Sequence, residues 1–156
     1  EGAVRVESRG EVLNQFLVEV FGQILKAEAA CLAGKDLSLR ELHLIDAVCR
    51  AVDQGGDNRS TAIAAALGIT AGTLTSAVNL LEKKGYLLRR RDERDKRVVH
   101  LLPTERGRAA DARHRDFHRQ MVAHVLDGLT DEEAECTLRA LGRVAEFFRR
   151  GALERG

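Results

Sequence analysis

The side chains best suited to chemistry in this chain are the cationic ones of residues 89–102. Arg94, Lys96 and Arg97 stand near the middle of that segment, interleaved with acids. Guanidinium and ammonium groups at this density bind phosphates, and an arginine can also enter a narrow minor groove. Asp95 lies two residues before Arg97, where a carboxylate could hold the guanidinium in one direction. We therefore predict that Arg97 contacts the minor groove of DNA and that Arg94 and Lys96 contact phosphates.

A second set of polar side chains lies upstream and consists of short hydroxyl and amide groups. Leu74, Val78 and Leu81 recur at helical spacing, which places the polar side chains on the opposite face of one helix. Groups this short approach phosphates and base edges closely, and asparagine can pair with adenine. The predicted DNA contacts on this face are Gly72, Thr73, Thr75, Ser76 and Asn79. The alternative is an ordinary capped helix followed by a solvated charged hairpin.

Two helices and a hairpin must position these side chains. The predicted helices cover residues 61–67 and 71–84, and Gly68 between them tolerates the positive φ of a sharp turn. Predicted strands at 86–91 and 97–102 flank a charged turn. This order is typical of a winged helix-turn-helix, which places a helix in the major groove and a hairpin in the neighbouring minor groove. The predicted partner is therefore double-stranded DNA.

The remaining segments are predicted to be helices that frame this lobe. A capping box of Ser38 and Glu41 begins one of them, and Thr104 and Thr130 cap the last two. The predicted fold class is mainly α, formally α+β. A DNA-binding lobe covers residues 38–103, dimerisation helices cover 11–34 and 104–150, and residues 1–10 are disordered. Amphipathic helices at both ends favour a two-fold homodimer and hence an inverted-repeat operator.

Several runs of this sequence resemble the MarR family of bacterial regulators. They are residues 67–86, residues 92–97 with the order D-x-R-D-x-R, and residues 101–107, which are close to L-x-L-T-x-x-G. Residues 35–47 and 113–121 resemble the FabT-type branch more particularly. That resemblance implies a repressor of fatty-acid biosynthesis genes with long-chain acyl-acyl carrier protein as co-repressor.

Two positions depart from the family pattern. Ser76 stands where many relatives carry arginine, so the bases read by this helix cannot be inferred from those relatives. Pro103 interrupts the last motif, and we expect it to end the wing strand and leave Thr104 as the N-cap of the next helix.

The FabT-type resemblance implies an apolar pocket for an acyl chain and a basic rim for an acidic carrier protein. The candidate lining residues are Phe16, Val20, Leu44, Val48, Phe117 and Met121, and the candidate rim residues are Arg113, Arg115 and Arg119. In this interpretation His43, His114 and His118 form hydrogen bonds within the dimer or to the thioester region.

The same histidines support an alternative in which the regulator responds to zinc. His114 and His118 are one helical turn apart, which is a good zinc half-site. The alternative ligand set is Cys31, Glu41, His43, His114 and His118, in regions from which zinc-sensing MarR relatives build their sites. Neighbouring arginines disfavour a divalent cation, so we predict no metal cofactor and keep zinc as the alternative. Cys31 is also the candidate for a redox response.

Composition excludes other classes. Lys and Arg number 25 and Asp and Glu 24, so the positive charge is local to the hairpin. Cys31, Cys49 and Cys136 lack metal-type clustering, and we expect them to be buried. The sequence shows neither a membrane-spanning apolar run nor a secretory leader, which predicts a cytoplasmic protein without a membrane partner.

Enzymatic motifs are also missing. The sequence carries no Gly-rich phosphate loop, nucleophile elbow or complete zinc-protease motif, which predicts that the chain is not an enzyme. A winged helix that binds protein is a further alternative. Steep salt dependence of binding would favour DNA over that alternative.

Overall fold

The structure, a computed structural model, describes residues 2–32 and 36–153, with side chains described for 8–32 and 36–150. These residues form six α-helices and two β-strands. In chain order they are α1 (Gly2–Cys31), α2 (Leu39–Asp53), α3 (Ser60–Leu67), α4 (Ala71–Lys83), β1 (Leu87–Arg91), β2 (Val99–Pro103), α5 (Glu105–Asp127) and α6 (Asp131–Leu153). The predicted fold class is confirmed.

The N-terminal helix is longer than predicted. α1 begins at Gly2, whereas the sequence predicted disorder over residues 1–10. That segment contains no proline, and one glycine inside a helix costs only about 1 kcal/mol, so the helix continues through Gly10. Residue 1 lies outside the described residues, as do residues 33 and 34 of the predicted 11–34 dimerisation segment.

The chain divides into two compact units, Glu1–Arg115 and Asp116–Gly156. The first unit holds α1 to β2 and the first part of α5, and the second holds the rest of α5 with α6. Thr130 caps α6, because its hydroxyl accepts from the Glu133 N–H at 3.3 Å while the Glu133 carboxylate accepts from the Thr130 N–H at 2.9 Å. The predicted cap at Thr130 is therefore confirmed.

α3 and α4 form the helix-turn-helix, and their axes bend by 109° at the turn. Gly68 closes α3 at φ 63°, in the left-handed region where glycine has no steric penalty. Thr70 caps α4, since its hydroxyl accepts from the Thr73 N–H at 3.2 Å. As predicted, Leu74, Val78 and Leu81 are the buried side of α4.

The wing is an antiparallel hairpin whose register runs from Leu87↔Pro103 to Arg91↔Val99. Its second strand starts two residues later than predicted, because the Val98 N–H donates to the Asp95 carbonyl at 2.9 Å and so belongs to the turn. Pro103 is the last strand residue, where a missing N–H is tolerated.

The core of the first unit lies between α2, α4 and the wing. Its largest fully buried side chains are Leu42, Ile45, Leu81, Leu87 and Leu101. The capping box at the start of α2 is confirmed, with Ser38 Oγ accepting from the Glu41 N–H at 3.3 Å and Glu41 Oε2 accepting from the Ser38 N–H at 2.7 Å.

Among the described residues, no single helix is long and apolar enough to cross a membrane. α3 and α4 meet that test of length and composition only as a bent pair.

Candidate nucleic-acid interface

The exposed face of α4 is the first part of the candidate interface. The five predicted residues of this face, Gly72, Thr73, Thr75, Ser76 and Asn79, are all exposed. Their short side chains leave the helix surface open to close approach by a phosphate or a base edge. The face lacks Arg and Lys, so its contacts depend on hydrogen bonds more than on charge.

The wing turn is held rigid by Asp92. Its Oδ1 accepts from the N–H groups of Asp95 at 3.0 Å and Arg94 at 2.8 Å, and its Oδ2 lies 3.1 Å from His100 Nε2. These two backbone bonds and the imidazole lower the pKa of the Asp92 carboxyl to about 2. Arg94 and Lys96 are exposed on this turn, as a phosphate contact requires.

Asp95 has a different role from the predicted one. Its Oδ1 accepts from the backbone N–H of Arg97 at 2.9 Å, so the carboxylate shapes the turn instead of aiming the guanidinium. The spacing of two residues is that of a local side-chain-to-backbone bond. Arg97 itself is exposed.

A groove of about 330 Å³ lies between α3, α4 and the wing. Its lining brings Thr75 and Asn79 from α4 together with Arg97 from the wing, so residues predicted separately share one concave surface. The lining also includes Arg59 and Arg89, which the sequence analysis did not single out.

Arg59 precedes α3 at its N-cap position. Its guanidinium and backbone N–H both bind the Asp57 carboxylate, with Nε 2.8 Å from Oδ1 and the backbone N 3.0 Å from the same atom. This arginine lowers the pKa of Asp57 to about 2. The feature of the sequence that indicates this contact is the Asp57-x-Arg59 spacing just before the start of a helix.

His100 joins the wing to the loop before α3. Its Nδ1 lies 2.8 Å from Asn58 Oδ1, and the Asn58 amide nitrogen donates to the Leu101 carbonyl at 2.9 Å. The wing therefore has a fixed direction relative to the helix-turn-helix.

The candidate effector residues differ in burial. Leu44 and Val48 are in the packed core, at 2% and 0% exposure, so they do not line an open pocket. Phe16 is exposed on α1 and Val20 is partly buried there. In the second unit, Phe117, His118 and Met121 are partly buried.

The candidate basic rim is only partly available. Arg113 is exposed. Arg115 is ion-paired with Asp111 and, at 3.1 Å, with Asp53, which raises the pKa of its guanidinium. In the second unit, Arg119 pairs with Asp116 at 2.5 Å.

The structure brings some of the candidate metal ligands together. His114 Nε2 lies 3.1 Å and His43 Nε2 3.8 Å from Oε1 of Glu28, a buried carboxylate that the sequence analysis missed. Glu41 instead binds the Ser38 N–H and, at 2.7 Å, Lys84 Nζ. His118 belongs to the second unit.

The three cysteines differ in exposure. Only Cys49 is buried, and burial together with the nearby Asp111 raises the pKa of its thiol to about 12. Cys31 and Cys136 are exposed, contrary to expectation, because each lies on a solvent-facing side of a helix. A redox role for Cys31 stays a prediction.

A family-wide sequence model described as the MarR family matches residues 48–99. The chain is also similar to two Bacillus subtilis proteins described as uncharacterized HTH-type transcriptional regulators. YwhA is 31% identical over 72 residues, and YcgE is 31% identical over 85 residues. These matches cover 46% and 52% of this chain and 52% and 53% of the relatives, so the chain spans about half the length of each.

Solved structures match over more of the chain. Streptococcus pneumoniae FabT in complex with DNA has a TM-score of 0.80 and 34% identity, covering 90% of this chain and 97% of that one. The Staphylococcus aureus MepR–DNA complex has a TM-score of 0.67 and 18% identity over 87% of this chain and 97% of that one, which is a likeness of fold alone.

Proposed function

The chain belongs to the MarR family of DNA-binding transcriptional regulators, and from that premise we propose that it represses fatty-acid biosynthesis genes. The proposed repressor is a homodimer that binds an inverted-repeat operator. Its proposed co-repressor is long-chain acyl-acyl carrier protein. As a member of this family the chain is a regulator and not an enzyme, and its cytoplasmic location stays a prediction.

The observation that carries the proposal is the likeness to FabT. It extends over nine-tenths of the chain at more than 30% identity, well beyond the helix-turn-helix that all family members share. The sequence resemblance to the FabT-type branch at residues 35–47 and 113–121 lies outside the region matched by the family-wide model, residues 48–99. It therefore supports the branch in addition to the family.

The geometry of the lobe supports duplex DNA as the target. α4 offers hydrogen-bonding groups without bulk, whereas Arg94, Lys96 and Arg97 concentrate positive charge at the wing. Because the chain has a formal net charge of only +1, this local charge is what attracts the phosphate backbone. In the proposed complex α4 enters the major groove and the wing reaches the adjacent minor groove.

An effector can change DNA affinity only if it prefers one arrangement of the dimer. In the proposed mechanism the acyl carrier binds more tightly to one arrangement of the dimer. In that arrangement the two copies of α4, the proposed recognition helices, match successive major grooves. Arg113, which is exposed, would contact the acidic carrier. Leu44 and Val48 belong to the core. The apolar side chains left as candidates for the acyl chain are Phe16 and Val20 in the first unit and, considered separately, Phe117 and Met121 in the second.

The test is a titration of the purified protein onto DNA from its own upstream region and from fatty-acid synthesis promoters. Long-chain acyl-acyl carrier protein is compared with the same carrier lacking the acyl chain. Tighter binding with the acylated carrier alone supports the proposal. Binding to these promoters that neither carrier changes would overturn the co-repressor and leave the family assignment intact.

A second candidate function, a zinc-responsive regulator, is favoured by one observation. Glu28 places a buried carboxylate beside His114 and His43, whose ring centroids are 5.6 Å apart. One carboxylate oxygen and two imidazole nitrogens are a donor set suited to zinc. All three residues lie within the first unit.

Zinc binding is measured by competition with a chromophoric chelator, using wild type, Glu28→Gln and His43→Ala. The zinc-responsive function would be supported if both variants bind zinc more weakly and if DNA affinity depends on zinc and not on acylated carrier. That result would overturn the proposed acyl-carrier co-repressor. Glu19→Gln, which removes a carboxylate from an exposed part of α1, is the matched control.

A further inference from the structure

Arg89 of β1 reaches across to the exposed face of α4. Its Nη1 donates to Asn79 Oδ1 at 2.7 Å, and its Nη2 donates to the Thr75 carbonyl at 3.1 Å. Glu82 holds the arginine from the other side, through an ion pair with Nη1 and a 2.9 Å bond from the Arg89 backbone N–H to Oε1. The guanidinium is thus fixed against the helix that faces DNA.

This contact determines which way the Asn79 amide is turned. A guanidinium has only donors, so the atom that faces it must be the amide oxygen. The other end of the amide, with two N–H donors, is then left for DNA. A bidentate pair with adenine also requires the oxygen, to accept from the adenine N6 amino group. The oxygen has two lone pairs, and Arg89 occupies one of them and holds the oxygen toward β1. Pairing with adenine is therefore disfavoured compared with an asparagine whose amide can turn.

The charge of Arg89 is paired with that of Glu82. Among the residues that the structure describes, Arg94 and Arg97 form no such ion pair. The Arg89 side chain is 28% exposed and Glu82 beside it is 30% exposed. A half-buried guanidinium that already binds a carboxylate, an amide and a carbonyl has few donors left for a phosphate. Arg89 therefore affects DNA recognition by positioning Asn79 and not by contacting a phosphate itself.

We propose that Arg89 is a positioning residue that makes Asn79 a hydrogen-bond donor to base edges. Guanine presents two acceptors in the major groove, whereas adenine presents one acceptor and one donor. The position read by Asn79 is therefore guanine in preference to adenine. This inference rests on the proposed placement of α4 in the major groove.

The experiment selects bound duplexes from a random DNA library with wild type, Asn79→Ala, Arg89→Lys and Arg89→Ala. The wild type is expected to favour guanine over adenine at one position of each half-site by on the order of tenfold. Asn79→Ala removes that preference. Arg89→Lys keeps a positive charge beside Glu82 but lacks the guanidinium fork, so it frees the amide and moves the preference toward adenine.

Salt dependence separates positioning from direct phosphate contact. Affinities of wild type and Arg89→Ala are measured from low to physiological salt on the duplex selected by the wild type. An unchanged slope of log affinity against log salt is expected for a positioning residue. A slope smaller by about 0.9 would show that Arg89 neutralises a phosphate and would overturn the proposal.

Failure of the inference and failure of its premise give different results. If Asn79→Ala changes one base preference but neither Arg89 variant does, Arg89 does not position the amide. If no Asn79 or Arg89 variant changes any preference, α4 does not read bases and the premise falls as well. Thermal unfolding of each variant identifies loss of fold, and Arg89→Lys is the variant used for the conclusion if Arg89→Ala is unstable.

Discussion

At the scale of single residues, the arginines of the lobe are of two kinds. Arg94 and Arg97 are exposed on the wing turn, and the structure there is held through their backbone N–H groups. Arg59 and Arg89 instead have guanidinium groups fixed by neighbouring carboxylates. The first kind is free to move toward phosphates or into the minor groove, whereas the second kind shapes the surface around the recognition helix.

The first prediction concerns Arg97. We expect Arg97→Ala to weaken operator binding several-fold or more and to reduce the slope of log affinity against log salt by about 1, because the variant lacks an exposed guanidinium proposed to contact DNA. Fluorescence anisotropy over a range of salt concentrations measures both. Arg139→Ala removes an exposed arginine of α6 and is the control. Unchanged affinity at physiological salt would remove Arg97 from the interface.

The second prediction concerns pH and Asp92. Its pKa is lowered to about 2 in the folded chain, from a reference value of 3.8. A lowered pKa means that ionised Asp92 stabilises the wing above about pH 4, and that this contribution is lost as the pH falls toward 2. The stability difference between wild type and Asp92→Asn should therefore be larger at pH 6 than near pH 2.5.

Urea unfolding at both pH values measures this difference, and the carboxyl carbon shift of Asp92 reports its titration directly. Glu93→Gln removes a charge from the same turn and is the control. A stability difference independent of pH, or an Asp92 carboxyl that titrates near pH 4, would contradict the assigned role.

At the scale of elements, the junction between the wing and α5 is closely packed. A Cβ at Gly107 would lie 2.2 Å from the Tyr86 carbonyl oxygen. Thr104 fixes the same junction, since its hydroxyl accepts from the Gly107 N–H at 3.0 Å and donates to the Gly85 carbonyl at 2.7 Å. The family-like motif at residues 101–107 thus has a steric explanation in this chain.

The third prediction is that Gly107→Ala destabilises the protein. The added methyl group meets backbone, which cannot move as a flexible side chain would, so we expect a loss of roughly 1–3 kcal/mol in the free energy of unfolding. Chemical denaturation measures it. In the control Gly10→Ala, where nothing lies within 4 Å of the new Cβ, stability should be unchanged or higher. Equal stability of both variants would contradict the packing at Gly107.

At the scale of the whole molecule, both units carry apolar side chains at the surface. In the first unit Val12 and Phe16 of α1 are more than half exposed, and in the second Leu138, Leu141 and Phe148 of α6 are too. Leu138, Leu141 and Phe148 lie within one side of α6 by helical spacing. An exposed apolar surface of this kind is typical of an interface, which supports the proposed homodimer.

The fourth prediction follows for α6. Leu141→Glu places a charge in the middle of this apolar side, so we expect the mass measured by sedimentation to fall from two chains to one. Affinity for a full inverted repeat should fall with it, because each half-site would then bind alone. Arg143→Glu changes charge on another side of α6 and is the control. A Leu141→Glu variant that stays dimeric would place the interface elsewhere.

Local pattern determined the helices, their caps and the wing. Glycine at a left-handed turn, threonine and serine caps, and apolar residues at helical spacing act over a few residues. The sequence alone therefore predicted the start of α2, and it predicted α3 and α4 within one residue. The exposed face of α4 followed from the same periodicity. The wing strands differ from their predicted positions by up to two residues. The turn is closed by backbone hydrogen bonds, and residue spacing does not identify the partners of such bonds.

Contacts between distant parts of the chain were decided only by the tertiary structure. Asn79 and Arg89 are joined across a helix and a strand, and Glu28 meets His114 although 86 positions separate them. Leu44 and Val48 are in the core because other buried residues pack against them. Their apolar character alone does not distinguish a core position from the lining of a pocket. The sequence alone therefore determined the family, the elements and the residues that are exposed on α4 and at the wing turn. The tertiary structure decided which charges are neutralised and which donors stay available, because those depend on neighbours that periodicity does not encode.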